Sequence, residues 1–174
     1  MTGENQPSTT SPWLRTIVIG RNPKRTLVRI IVLILLSVAL IKFVFIPVRV
    51  TGISMSPNYA DGRINLVNKL AYAHSRPERG DVVAIKMAGE HVMLLKRIIG
   101  LPGERVTIRL GNVFINDAPF GESYVKYKKH PSWNKKWVLK EDEYLVMGDN
   151  RSMPFEAHYY GLAYEHQIAG KVVF

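Results

Sequence analysis

The sequence predicts a mainly β domain behind one apolar N-terminal helix. Three observations carry that prediction. An apolar stretch of helix length lies before residue 50. Short Val/Ile-rich runs follow it, separated by Pro and Gly. No helical periodicity of any length appears after residue 50, apart from a candidate helix at Ile64–Ala73. The chain has 174 residues, 47% hydrophobic and 22% charged, a globular composition sized for one domain with an appendage. Its lack of cysteine excludes a disulfide scaffold, a Cys-ligated metal and a cysteine nucleophile.

Residues 1–12, rich in Thr, Ser, Pro, Asn and Gln, read as a disordered tail, and 1–25 as a basic, partly disordered segment. From Ile30 to Ile46 the chain is apolar except at Ser37 and Lys42. Counted over residues 26–47, this stretch would span roughly 30 Å as a helix, enough for a bilayer core. A cleaved signal peptide and a buried core helix are the competing readings. The stretch is long and no A-x-A-like site follows it, which opposes the first. It is apolar on every face, which opposes the second. Residues 1–49 hold seven Lys/Arg and one acid (+6), whereas residues 50–174 hold 17 and 13 (+4). Positive charge before the apolar stretch places the N-terminus in the cytoplasm and residues 48–174 outside, behind a single-pass anchor in the inner (cytoplasmic) membrane.

After the anchor, strands are expected at Asp81–Ile85, within His91–Ile99, at Arg105–Arg109 with a Gly111-Asn112 turn into Val113–Ile115, at Tyr144–Met147 and at Lys171–Phe174. The stretch from Tyr124 to Trp137, basic and aromatic, suits an anionic lipid surface or a solvated loop. Nucleic acid is not expected as a partner.

No metal site is expected, because the five histidines show no HExxH spacing; no cofactor is expected either, since phosphate-loop signatures are absent. Two residues invite chemistry. Ser54 lies just past the anchor, in a loop bounded by Gly52 and Pro57. Lys96 lies inside the most apolar strand. A lysine of ordinary pKa, about 10.4, is only about 0.04% neutral at pH 7, and burial lowers that pKa by several units. A neutral lysine beside a serine hydroxyl can act as its general base. From periodicity alone, Lys96 reads more simply as a side chain snorkelling from a strand edge.

Four segments change that reading. Val50-x-Gly52-x-Ser54-Met55-x-Pro57 resembles the nucleophile box of type I signal peptidases. Arg79-Gly80-Asp81-Val82-Val83, Lys96-Arg97-Ile98-Ile99-Gly100-Leu101-Pro102-Gly103-Glu104 and Gly148-Asp149-Asn150-Arg151 are similar to that family's remaining boxes, in the family's order. The resemblance implies a signal-peptidase-like antiparallel β catalytic domain, residues 48–174, behind one transmembrane helix. It implies a Ser–Lys dyad, with Ser54 as nucleophile and Lys96 as general base. The oxyanion would be held by the Ser54 N–H and a group near Gly52. Ile53, Met55, Val83, Leu94 and Leu95 would line the substrate site, with Arg97, Asp149, Asn150, Ser152 and Glu156 in support. Expected partners are precursor proteins bearing signal peptides, cut after small residues in an A-x-A-like pattern, and the lipid bilayer.

The last box departs from the family. In register, Pro154 replaces the serine that orients the lysine, Glu156 an aspartate and His158 an arginine; Asn58 stands where threonine is usual. Ser152, Ser56 or a water would then take the missing hydroxyl's part. A Glu156–His158 contact would titrate near the histidine pKa. The pattern reads as a divergent bacterial member. A specialised peptidase with one dedicated substrate, pilin-like or from a secretion system, and an inactive membrane-tethered peptide-binding domain are the alternatives.

Overall fold

In the computed structural model, residues 22–86, 93–154 and 161–173 are described. They form an apolar helix and a β-rich region that begins at residue 44, two separate compact units.

Helix α1 (Pro23–Val44) is long and apolar enough to cross a membrane, and none of its side chains is buried. Proline suits its first position, where the missing N–H has no intrahelical role. The stretch expected over 26–47 therefore shifts, with residues 45–47 opening a strand. Pro47 explains the stop: its ring disfavours helical backbone at Ile46 and would clash one turn back.

The β-rich unit has two antiparallel sheets. The larger contains β1 (Phe45–Arg49), β2 (Ile64–Asn68), β3 (Val82–Lys86), β4 (Met93–Gly100), β9 (Glu143–Met147), β10 (Gly161–Tyr164) and β11 (Ile168–Val172), in the order β1-β2-β11-β3-β4-β9-β10. The smaller contains β5 (Arg105–Arg109), β6 (Asn112–Ile115), β7 (Ala118–Phe120) and β8 (Lys135–Val138), in the order β7-β6-β5-β8. The Gly111-Asn112 hairpin forms as expected, with Ile108 opposite Val113. The candidate helix at Ile64–Ala73 does not. Its first half is β2, where Val67 is fully buried between β1 and β11, and turns follow. Packing against two strands overrides the local pattern.

Strand alternation divides the core. Val82, Ala84 and Leu95 pack with Val50, Met55 and Val67. Val83, Ile85 and Ile98 pack with Tyr144 and Val146. Ile99, Leu145 and Met147 pack with Val106, Ile108, Val113 and Trp133, so β4 and β9 serve the cores of both sheets. Gly100 marks the crossing. A Cβ there would fall 2.6 Å from Val106 Cγ2 and 2.7 Å from Leu139 Cδ1, too close for any side chain.

Candidate active site

The Ser54 segment leaves β1 and turns sharply. Gly52 adopts φ +91°, a conformation that L side chains resist. Its N–H donates to Asp61 Oδ1 at 2.8 Å. Gly52 therefore shapes the turn, and its own N–H is engaged within the loop. Asn150 clamps the segment from the far side: its backbone N–H donates to Ser54 O at 2.9 Å and its Nδ2 to Ile53 O at 3.1 Å. Among the described residues no hydrogen bond engages the Ser54 N–H.

Lys96 comes from β4 and is 3% exposed. Its Nζ donates to Ser54 Oγ at 2.7 Å. Burial pushes the Lys96 ammonium down to about 8, opposed by the nearby Asp149 carboxylate. Pro154 leaves no hydroxyl at its position, and Ser152 does not replace it: its Oγ donates to Asn150 Oδ1 at 2.6 Å. Glu156 and the expected Glu156–His158 contact lie outside the described residues.

Arg97, Asp149 and Asn150 form the scaffold of the site. Asp149, fully buried, accepts from Arg97 Nε at 2.8 Å and Nη2 at 2.6 Å, and from Asn58 Nδ2 at 2.7 Å. Asn58 Nδ2 also donates to Tyr124 O at 2.8 Å, and Arg97 lies over the Tyr124 ring at 4.3 Å. Such a planar two-point pair, buried and fully hydrogen-bonded, fixes orientation strongly. Next to it, buried Arg151 is held by Glu122 at 2.5 and 3.2 Å, and Glu122 also binds Lys129. Glu122 and Tyr124 were not anticipated. They come from a polar loop whose sequence carries no spacing signal, and the Asn58 side chain joins them to the site. The Arg79 segment serves folding: Arg79 donates to Ile99 O and to Glu104 Oε1, both at 2.5 Å.

A groove of about 360 Å³ runs up to the Ser54–Lys96 pair between β1 and β4. Met55, Leu94 and Leu95 line it, as do Ile46 and Val48. Val83 does not, a correction to its expected place on the wall. It faces the Tyr144 core, and it is Ala84, its neighbour in β3, that packs with Met55.

Comparison with known proteins identifies the family. A family model described as signal peptidase, peptidase S26, matches residues 24–174. The chain belongs to the signal peptidase S26 family. It is 30% identical over 155 residues to signal peptidase I V of Bacillus subtilis, covering 82% of this chain and 92% of that one. It is 33% identical over 150 residues to signal peptidase IB of Staphylococcus aureus, covering 76% and 78%. Against a probable signal peptidase I-2 of Synechocystis it is 31% identical over 145 residues, covering 79% of this chain and 66% of that one. A crystal structure of a signal peptidase I from Enterococcus faecalis, 25% identical, superposes with a TM-score of 0.48 over 57% of this chain and 98% of that one. The boxes named from sequence fall within the S26 match, and the signal peptidase family is a family of proteases.

Proposed function

We propose that this chain is a membrane-anchored serine endopeptidase that removes signal peptides from exported precursors with a Ser54–Lys96 dyad. The 2.7 Å hydrogen bond between a buried lysine and Ser54 carries the proposal. At a pKa of about 8, about a tenth of Lys96 is neutral at pH 7, roughly two hundred times more than for an exposed lysine. In the neutral form the hydrogen bond reverses, and the Ser54 O–H donates to the amine. Lys96 takes that proton as Ser54 Oγ adds to the scissile carbonyl. The Ser54 N–H, uncommitted among the described residues, receives the developing oxyanion. The Lys96 ammonium then protonates the leaving amine as the C–N bond breaks, leaving an acyl-serine. Water, deprotonated by Lys96, adds to the ester, and Ser54 departs with the proton.

Topology supports a direction for the substrate. Every neighbouring pair from β1 through β2, β11 and β3 to β4 is antiparallel, so β1 and β4 run the same way. β9 pairs with β4 only from Arg97 onward. Among the described residues, Met93–Lys96 therefore keep an open edge facing the groove. An extended peptide parallel to both strands would place the residues before the cleaved bond in the groove and the scissile carbonyl at Ser54. Met55 and Leu95 line this groove, and apolar walls of this kind would take small side chains before the cut. Helix α1 would hold the site at the bilayer, where precursors emerge.

The test is cleavage of a precursor with an A-x-A site by the full chain in liposomes. Wild type is compared with Ser54→Ala and Lys96→Ala, each checked for folding by circular dichroism. Wild type cuts, and each variant loses at least about a thousandfold in kcat. Folded wild type that leaves the precursor intact overturns the general reading and points to a dedicated substrate.

A further inference from the structure

Residues 106–116 and 123–138 contain no Asp or Glu, and they hold Arg109, Lys126, Lys128, Lys129, Lys135 and Lys136. The fold gathers these cations at one end of the four-stranded sheet. The β5–β6 turn sits against the segment leading into β8: Leu110 N donates to Asn134 Oδ1 at 2.9 Å, and Gly111 N to Trp133 O at 3.0 Å. A Cβ on Gly111 would meet Lys129 Cβ at 2.8 Å, which brings the Lys126–Lys129 loop alongside. Strand register sets Ile108 opposite Lys135 and Thr107 opposite Lys136. Lys129 turns inward to Glu122, while Arg109, Lys126, Lys128, Lys135 and Lys136 are exposed. Among them stand Leu110, 67% exposed at the tip of the turn, and Tyr127, 42% exposed. Asp117, the acid nearest along this sheet, lies at the opposite end, paired with Arg105.

We propose that this end of the four-stranded sheet binds anionic phospholipid headgroups and lays the β5–β6 turn on the bilayer surface. The proposal deepens the membrane-anchored reading and rests on it. Lysines and arginines within a Debye length of an anionic leaflet are attracted to it, and the attraction sums over the cluster. The exposed leucine decides between kinds of anion. A bilayer is anionic at its surface and apolar just beneath, which matches a ring of cations around an apolar tip. A nucleic acid would engage the cations but leave the exposed Leu110 tip without an apolar partner. A tether in the same membrane keeps the surface within reach, so modest intrinsic affinity suffices.

The chain has no cysteine, so one introduced cysteine reports one place. The full chain carrying Leu110→Cys, labelled with a polarity-sensitive fluorophore, is reconstituted into phosphatidylcholine vesicles with and without phosphatidylglycerol at about one third of the lipid. With phosphatidylglycerol, the emission shifts to the blue and acrylamide quenching falls at least about threefold. Raised salt reverses both changes, as does the triple variant Lys128→Gln, Lys135→Gln, Lys136→Gln. The same label at Asp117→Cys stays unchanged. Lys128→Cys serves as a second position should Leu110→Cys fail to fold. Equal quenching in the two vesicles, or an equal response at positions 110 and 117, overturns the proposal. So does an equal response to a DNA oligonucleotide added to pure phosphatidylcholine vesicles, which would assign the cluster to soluble polyanions. Alkaline carbonate extraction separates the two readings: extraction of the chain defeats the anchor, whereas a retained chain with an unresponsive label defeats the headgroup site alone.

Discussion

The two sheets use similar short strands and treat polar residues in opposite ways. Around the seven-stranded sheet, Lys96, Asp149, Asn150 and Arg151 are buried. The core of the four-stranded sheet is Val106, Ile108, Val113 and Trp133, and Arg109, Lys135 and Lys136 on its strands are exposed. Burying Lys96 costs stability and lowers the pKa of its amine, as the proposed dyad requires. The Arg97–Asp149 pair and the Asn150 clamp hold the geometry that this cost requires. The smaller sheet bears no such cost, so stability and surface chemistry are separable there. The difference teaches where a substitution should move activity and where it should move stability alone.

The sharpest contrast comes from Lys96→Met. Activity falls at least about a thousandfold. Stability moves the other way at neutral pH. The unfolded chain holds the lysine proton up to about 10.4, whereas the folded chain releases it near 8. The cost to folding is therefore full below pH 8 and fades as pH rises toward about 10. Thermal melts should show the variant above wild type at pH 7, with the gap closing in alkali; a gap that is constant with pH would sink this account. In wild type, kcat/KM should rise with pH to a plateau with a midpoint near 8.

Asp149→Ala comes next. It leaves Arg97 uncompensated and should cost about 3–5 kcal/mol in denaturant unfolding, with loss of activity. Ile108→Ala is its counterpart in the smaller sheet. It should cost about 2–5 kcal/mol through a cavity, yet leave kcat per folded molecule and its pH midpoint unchanged. If the two variants depress kcat equally, the sheets are not separable. Asn150→Ala keeps the backbone bond to Ser54 O but loses the Nδ2 bond to Ile53 O and the Ser152 bonds to Oδ1, and should lower kcat more than it raises KM, at a stability cost of about 1–3 kcal/mol. The smallest effect belongs to Val138→Thr on the exposed strand β8, within about 0.5 kcal/mol in unfolding and silent in cleavage.

Much of this was legible in the sequence where an interaction is local. Alternating Val and Ile drew β5 and β6, the continuous apolar run drew β4, and turn residues separated them. The Ser54 and Lys96 segments carried their resemblance in consecutive residues. What the sequence hid depends on partners distant along the chain. Lys135-Lys136-Trp137-Val138 has no strand pattern of its own and becomes β8 by pairing with β5. Val83 and Ala84 differ only in which face of β3 they occupy, and nothing nearby reveals which face meets the groove. Asn58 reaches Asp149, Glu122 reaches Arg151 and Tyr124 lies under Arg97, all across the fold, so no spacing rule could have assembled them.

At Gly100 strand β4 packs against Val106 and Leu139 with no room for a methyl group, and strands β4 and β9 furnish side chains to the cores of both sheets. Neither sheet can melt while the other stays whole, because opening one strips a wall from its neighbour. Calorimetry on the β-rich unit should therefore give a single transition whose van't Hoff and measured enthalpies agree. The contact between Ser54 and Lys96 would then be lost together with both cores at the melting temperature.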